Sequence, residues 1–180
     1  VRALALAFGV AFAFVLAAAP TARAAPLPPW HGWDRLIGDW VGGNSRGVPG
    51  PSSTSGFSFR YDLENHVIVR KDWADYQAMQ GRPAFHHEGL MVVSSGEAGS
   101  EARAWYYDNE GHVIEYEFAV SDSAIVLVSV QQEGAPRYRL TYRFEPDQLG
   151  ILFEIARPGS GDDFQPYVEG TATRVPPAKK

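Results

Sequence analysis

The chain contains no cysteine. Disulfide staples, thiol nucleophiles and thiolate metal sites are therefore excluded, and stability has to come from packing alone. A basic cluster is missing too. Sixteen Lys and Arg stand against 21 Asp and Glu, a formal charge of −5, which argues against nucleic acid or an anionic membrane as partner. No stretch after Trp40 carries a helical period, and there is no P-loop, dinucleotide fingerprint, G-x-S-x-G or H-E-x-x-H. No cofactor is expected. Internal repeats are lacking, and low complexity is confined to the first residues and the tail VPPAKK at 175–180.

What is present begins with an apolar run. Arg2 is followed by Ala3 to Ala19 and then by Ala22-Arg23-Ala24. These read as the basic, apolar and small-residue regions of a secretory signal peptide over residues 1–24, with cleavage near Ala24. The run is about 17 residues long and Ala-rich, at the lower limit for a membrane span. An initial Val read as an alternative start codon points to a bacterium. The expected product is an exported protein, periplasmic or secreted, with no membrane attachment after cleavage. Removal of Arg2 and Arg23 leaves 14 basic residues against 21 acidic ones. The remaining length, about 155 residues, suits one domain with a real core. The expected organisation is a lead-in over 25–35 with at most one helical turn around Trp33 to Ile37, a barrel domain over 36–175, and a disordered tail over 176–180.

From Thr54 onward the pattern is strand after strand. In RYRLTYRFE, Tyr138, Leu140, Tyr142 and Phe144 alternate with Arg137, Arg139, Thr141 and Arg143; GFSFRYDL and HVIEYEFAV behave alike. Strict period two marks half-buried strands. Short turns rich in Gly, Pro, Asn and Asp separate them, at 62–65, 108–111, 133–136, 145–147 and 158–161. Short links make neighbours antiparallel. About ten strands are expected, and closing such a meander into an up-and-down barrel removes its edges. The two longest links, Gly43 to Ser55 and Tyr76 to Pro83, are expected to rim an open end. The competing arrangement is a β-sandwich with Trp40 as an ordinary core residue.

Gly38-Asp39-Trp40 resembles the G-x-W of the first strand of calycins, the superfamily of lipocalins and fatty-acid-binding proteins, and the run from Leu36 to Arg174 is similar to lipocalin-like barrels of uncharacterised bacterial families. Nitrobindin-like barrels are a more distant neighbour; their haem-ligating His late in the chain has no counterpart after His112. The resemblance implies a barrel latched where the Arg174 guanidinium covers the Trp40 indole, a cation–π contact of about 0.5–2 kcal/mol. It also implies an interior open to a small ligand.

Among chemistry-bearing residues, the densest cluster is Phe85-His86-His87-Glu88-Gly89. Alternation sends His87 to one face and His86 with Glu88 to the other. Two ligands on one face fall short of a metal site, so none is expected. His87, on the face of Phe85 and Met91, is the candidate for the interior and, if the protein is an enzyme, for acid–base work; the alternative is His86 with Glu88, on the face of Leu90 and Val92. Parity puts Arg70 on the outer face, with Val67, Val69 and Trp73 inside; the alternative is an inward charge that meets an anionic ligand, Glu88 or Glu117. Glu115, Glu117, Asp162 and Asp163 are expected in solvent. The candidate ligand-lining residues are His87, Trp73, Trp105, Tyr107, Tyr116, Phe118 and Tyr142. The leading expectation is a monomer or weak dimer that binds a small, apolar or amphipathic molecule. An isomerase, cyclase or hydratase on the same barrel, and a cell-envelope interaction module without a cavity, are the alternatives.

Overall fold

The computed structural model describes Trp30 and residues 32–47, 52–79, 81–96 and 102–177. The expected signal peptide and His31 lie outside these residues. After one 3₁₀ turn at Trp33–Arg35 come ten strands: β1 Gly38–Gly47, β2 Ser52–Asp62, β3 Val67–Tyr76, β4 Phe85–Ser94, β5 Arg103–Asp108, β6 Val113–Val120, β7 Ala124–Ser129, β8 Arg137–Phe144, β9 Leu149–Ala156 and β10 Gln165–Arg174. Each pairs antiparallel with the next, and β1 pairs with β10 to close the cylinder. The chain is therefore an all-β, up-and-down barrel, compatible with a calycin-like fold, and not a sandwich.

Closure is built where the first strand meets the last. Trp40 lies directly opposite Arg174 in the β1–β10 register. The Arg174 guanidinium carbon sits 4.3 Å from the Trp40 ring centroid, and its two terminal nitrogens donate to the carbonyls of Ile37 and Arg35. The indole N–H of Trp40 donates to Leu36 O at 2.8 Å, and the ring stacks on Phe57. The segment before β1 supplies more than a lead-in. Trp30, Trp33 and Leu36 are buried, and Trp33 packs edge-on to Phe118 with ring centroids 5.1 Å apart. Together they plug this end of the barrel.

The expected long link from Gly43 to Ser55 is largely strand. β1 continues to Gly47 and β2 starts at Ser52. Its small residues, which read as a loop, instead let strands approach closely. A Cβ on Gly42 would lie 1.9 Å from Ser55 Oγ, and one on Gly43 would lie 2.8 Å from Thr171 Oγ1. β3 and β4 are joined between Tyr76 and Phe85, on the end where β1 stops and β2 starts.

Inward faces alternate as the pleat requires. The half next to the plug is filled: Phe59, Ile68, Met91, Val93, Ala104, Tyr116, Ile125, Leu127 and Tyr142 are all buried. Toward the opposite end, Tyr76, Phe85, Tyr138 and Phe153 are only partly buried. Inward side chains are therefore most fully buried next to the plug and less so in the mouth half.

Candidate functional site

The face of β3 is the reverse of the expected one. Ile68, Arg70 and Ala74 are buried, whereas Trp73 is 41% exposed. The cause is register. Arg70 pairs with Phe59 and Ile68 with Tyr61 on β2, so β3 follows the aromatic face of β2. Apolar residues on both faces of VIVRKDW concealed this. Arg70 thus stands inside the barrel, its guanidinium Nη1 2.7 Å from Asp72 Oδ1. The guanidinium carbon is 5.5 Å from the Phe57 ring centroid on the plugged side.

Asp72 has room because its cross-strand neighbour is Gly89. A Cβ there would lie 2.5 Å from Asp72 Oδ1 and 2.8 Å from Tyr106 Cε2. Gly89→Ala is expected to destabilise the protein by about 1–3 kcal/mol, as overpacking does; an unchanged urea midpoint would contradict the packing described.

His87 is inward, as its parity with Phe85 and Met91 predicts. Its Nδ1 lies 2.8 Å from Glu110 Oε1, and its Nε2 lies 3.0 Å from the Tyr106 hydroxyl and 3.7 Å from Asp72 Oδ2. With Nδ1–H donating to Glu110, Nε2 is free to accept from Tyr106. Asp108 lies on the same inward row as Gly89. Its Oδ1 accepts the backbone N–H groups of Glu110 and His112, and its Oδ2 faces His112 Nδ1 at 2.8 Å.

The electrostatics follow from burial among these charges. Burial alone would raise the Asp72 pKa, but the Arg70 guanidinium and His87 outweigh it and hold the carboxyl below its ordinary range. Asp72 raises the His87 pKa, burial lowers it, and Glu110 raises it again; the net shift is upward. Burial pushes the hydroxyls of Tyr106 and Tyr142 up, that of Tyr142 to about 12, so both stay protonated. Arg70 Nε and Tyr142 Oη are buried donors without an acceptor among the described residues, a condition that buried water ordinarily satisfies.

Because the folded His87 pKa is raised, its contribution to stability is full below the unfolded value and fades as pH rises through the folded one. Glu110→Gln is expected to lower the His87 pKa in an NMR titration and to flatten stability against pH in that window. An unmoved His87 titration would show that the 2.8 Å contact carries no charge coupling.

The other candidates divide. Tyr116 and Tyr142 face inward, but in the packed half, where they form the floor beneath Arg70. Phe118 packs on the Trp33 plug, away from the mouth. Trp73, Trp105 and Tyr107 lie on the outer face, opposite in parity to the inward Ala74, Ala104 and Tyr106, so they do not line the interior. His86, exposed, pairs outside with Asp75 and Glu88. Arg70, expected outward, is inside, and the residues that sequence reasoning missed are Asp72, Tyr106, Asp108 and Glu110. One signal was there: opposite charges at Arg70 and Asp72, two apart and hence on one face, between the apolar Ile68 and Ala74 of that same face.

The barrel also adds Asp108 and Glu110 to His87, so that one donor atom from each lies within 4.8 Å of the others. The strand face of His87 offers one ligand; the end of β5 supplies Asp108 and the turn after it Glu110. Two surface depressions, of about 290 and 330 Å³, lie elsewhere. One is on the outer wall by Arg46, Arg143 and Glu169, the other by Arg35, Phe144 and Arg174 at the plugged end. No family model and no curated protein matches this chain.

Proposed function

We propose that this protein binds a small, largely apolar or amphipathic molecule in the mouth half of its barrel. The observation that carries the reading is the polar floor: Arg70, Asp72, His87 and Tyr106 converge inward beneath partly buried aromatic side chains. Polar groups fixed among aromatics at the unplugged end are the composition of a small-molecule site. Tyr76 stacks on Phe85 at 4.5 Å, and Tyr138 on Phe153 at 5.9 Å. These pairs offer flat walls to an apolar body, while the floor offers hydrogen bonds to its polar end. The apolar N-terminal run supports export of the protein to the periplasm or the medium, as a lipocalin-like carrier acting as a monomer or weak dimer.

The test is fluorescence of the neutral probe N-phenyl-1-naphthylamine. Saturable enhancement in the wild type, weakened several-fold in Phe85→Ala and Phe153→Ala, is the expected result. Enhancement no greater than in a mouth-filling Ala74→Trp variant would remove the reading.

A second reading has its own support. A His held between a carboxylate and a tyrosine hydroxyl, as His87 is between Glu110 and Tyr106, is an arrangement able to move a proton on a bound molecule. It adds catalysis to the same site and needs the same occupied mouth.

A further inference from the structure

The charges around the mouth do not balance, and this bears on the ligand. Three carboxylates converge there from β3, β5 and the turn after β5: Asp72, Asp108 and Glu110. Among the described residues inside the barrel at this cluster, the one permanent positive charge is Arg70; Arg82 stands outside it, on the β3–β4 link. Arg70 lies deepest, already paired to Asp72 and turned toward Phe57. With His87 and His112 neutral the cluster carries two negative charges in excess, with one of them protonated it carries one, and with both protonated it is neutral. Asp72 Oδ1 is fully shielded and, despite the 2.7 Å ion contact, has no donor in hydrogen-bonding geometry among the described residues. An incoming anion would meet carboxylates before it met Arg70.

The walls point the same way. The Tyr76 hydroxyl is pushed up by burial and by the charges of Glu110 and Asp72 as well as by Tyr167, and that of Tyr138 by burial and Asp108. Tyr76 and Tyr138 stand on the inward rows of β3 and β8, on opposite sides of the barrel, at the end of the cylinder where β5 stops at Asp108. Neutral tyrosine rings beside carboxylates are what stabilise an organic cation, through the negative face of each ring and the anions behind it.

Resting on the binding reading above, we infer that the mouth of this barrel takes a small organic cation: an ammonium group on an apolar or aromatic body, seated between the tyrosine walls and the Asp72–His87–Glu110 cluster. Glu110 is the accessible member, its side chain 49% exposed, and so it is the one an ammonium meets first. A divalent metal shares this positive charge and could use His87, Asp108 and Glu110, but it would leave the aromatic walls without a role.

Three indoles of matched size separate these possibilities by calorimetric titration: tryptamine (cation), tryptophol (neutral) and indole-3-propionate (anion), with Zn²⁺ alone as a fourth arm. Tryptamine is expected to bind tightest, about tenfold or more above the propionate, since each like-charge contact at this depth is only partly screened. Glu110→Gln, an exposed change that leaves the core intact, is expected to weaken tryptamine several-fold and to leave tryptophol within about twofold. Propionate or tryptophol binding as tightly as tryptamine would overturn the inference while leaving the binding reading intact. So would tryptamine binding that Glu110→Gln does not touch. Zn²⁺ binding that Glu110→Gln weakens, with no tryptamine binding, would replace the organic cation by a metal. Failure of all three indoles and of N-phenyl-1-naphthylamine would remove the binding reading and this inference together.

Discussion

Trp40→Ala is expected to cost about 3–5 kcal/mol of folding stability, the range for deleting a buried aromatic, and to be the most damaging single change at the plugged end. Trp40 is 8% exposed, and its ring serves three partners at once. It stacks on Phe57, it donates to Leu36 O, and it lies under Arg174. The first contact belongs to β2, the second to the plug, and the third to the last strand. Removing the indole therefore loosens the β1–β10 seam on which closure depends. Trp40→Phe keeps much of the stacking and loses the N–H donor, so it should cost less, about 1–2 kcal/mol. Arg174→Ala removes the cation and frees the carbonyls of Ile37 and Arg35. Arg174→Lys restores the charge but not the forked donor, and is expected to rescue only part of the loss. Urea unfolding of the two single variants and the double variant gives the coupling energy directly. A Trp40→Ala variant that unfolds at the wild-type midpoint would show that β1 and β10 hold together without the latch.

Which features could be read from the chain follows from how unlike its two strand faces are. RYRLTYRFE sets aromatics against arginines, so its alternation names the inward set, and β8 buries Leu140 and Tyr142 as that alternation requires. VIVRKDWADY has Val67, Val69 and Trp73 on one face and Ile68, Arg70 and Ala74 on the other. Apolarity then favours the wrong face, because β-branched residues are also at home on the outside of a sheet. The deciding information is the pairing of Arg70 with Phe59 and Met91, a long-range fact no local window contains. The same holds for the site. His87 was legible from its parity with Met91, but Glu110 reaches it from a turn 23 residues away, and DNEG in isolation reads only as a turn. Trp105 and Tyr107 illustrate the converse. They are aromatic and on a barrel strand, yet alternate with Ala104 and Tyr106, whose face is the inner one. The pleat, and not the residue type, decides lining.

The buried pair at the floor gives the second large effect, and an asymmetric one. Asp72→Asn leaves the Arg70 guanidinium, 9% exposed, without its counter-charge. Breaking a buried pair from one side costs about 3–5 kcal/mol, because the remaining ion cannot be hydrated. Arg70→Met should cost less near and below neutral pH. There the stranded carboxylate still has His87 Nε2 at 3.7 Å, and a protonated His87 can take over as its partner. That variant is therefore expected to lose stability as pH rises through the His87 titration, more steeply than the wild type. Arg70→Met combined with Asp72→Leu removes both charges, and is expected to recover most of the loss. Acid pH supplies the matching test. The Asp72 carboxyl is held below its ordinary value of 3.8, so its contribution to stability is complete above that value and fades as pH falls through the lower, folded one. Wild-type stability should thus drop below about pH 4, and Asp72→Asn, already deprived of the pair, should drop less steeply there. Parallel acid profiles for the two proteins would mean that Asp72 and Arg70 are not coupled as their 2.7 Å separation requires, and the polar floor of the mouth would then have no fixed geometry to offer a ligand.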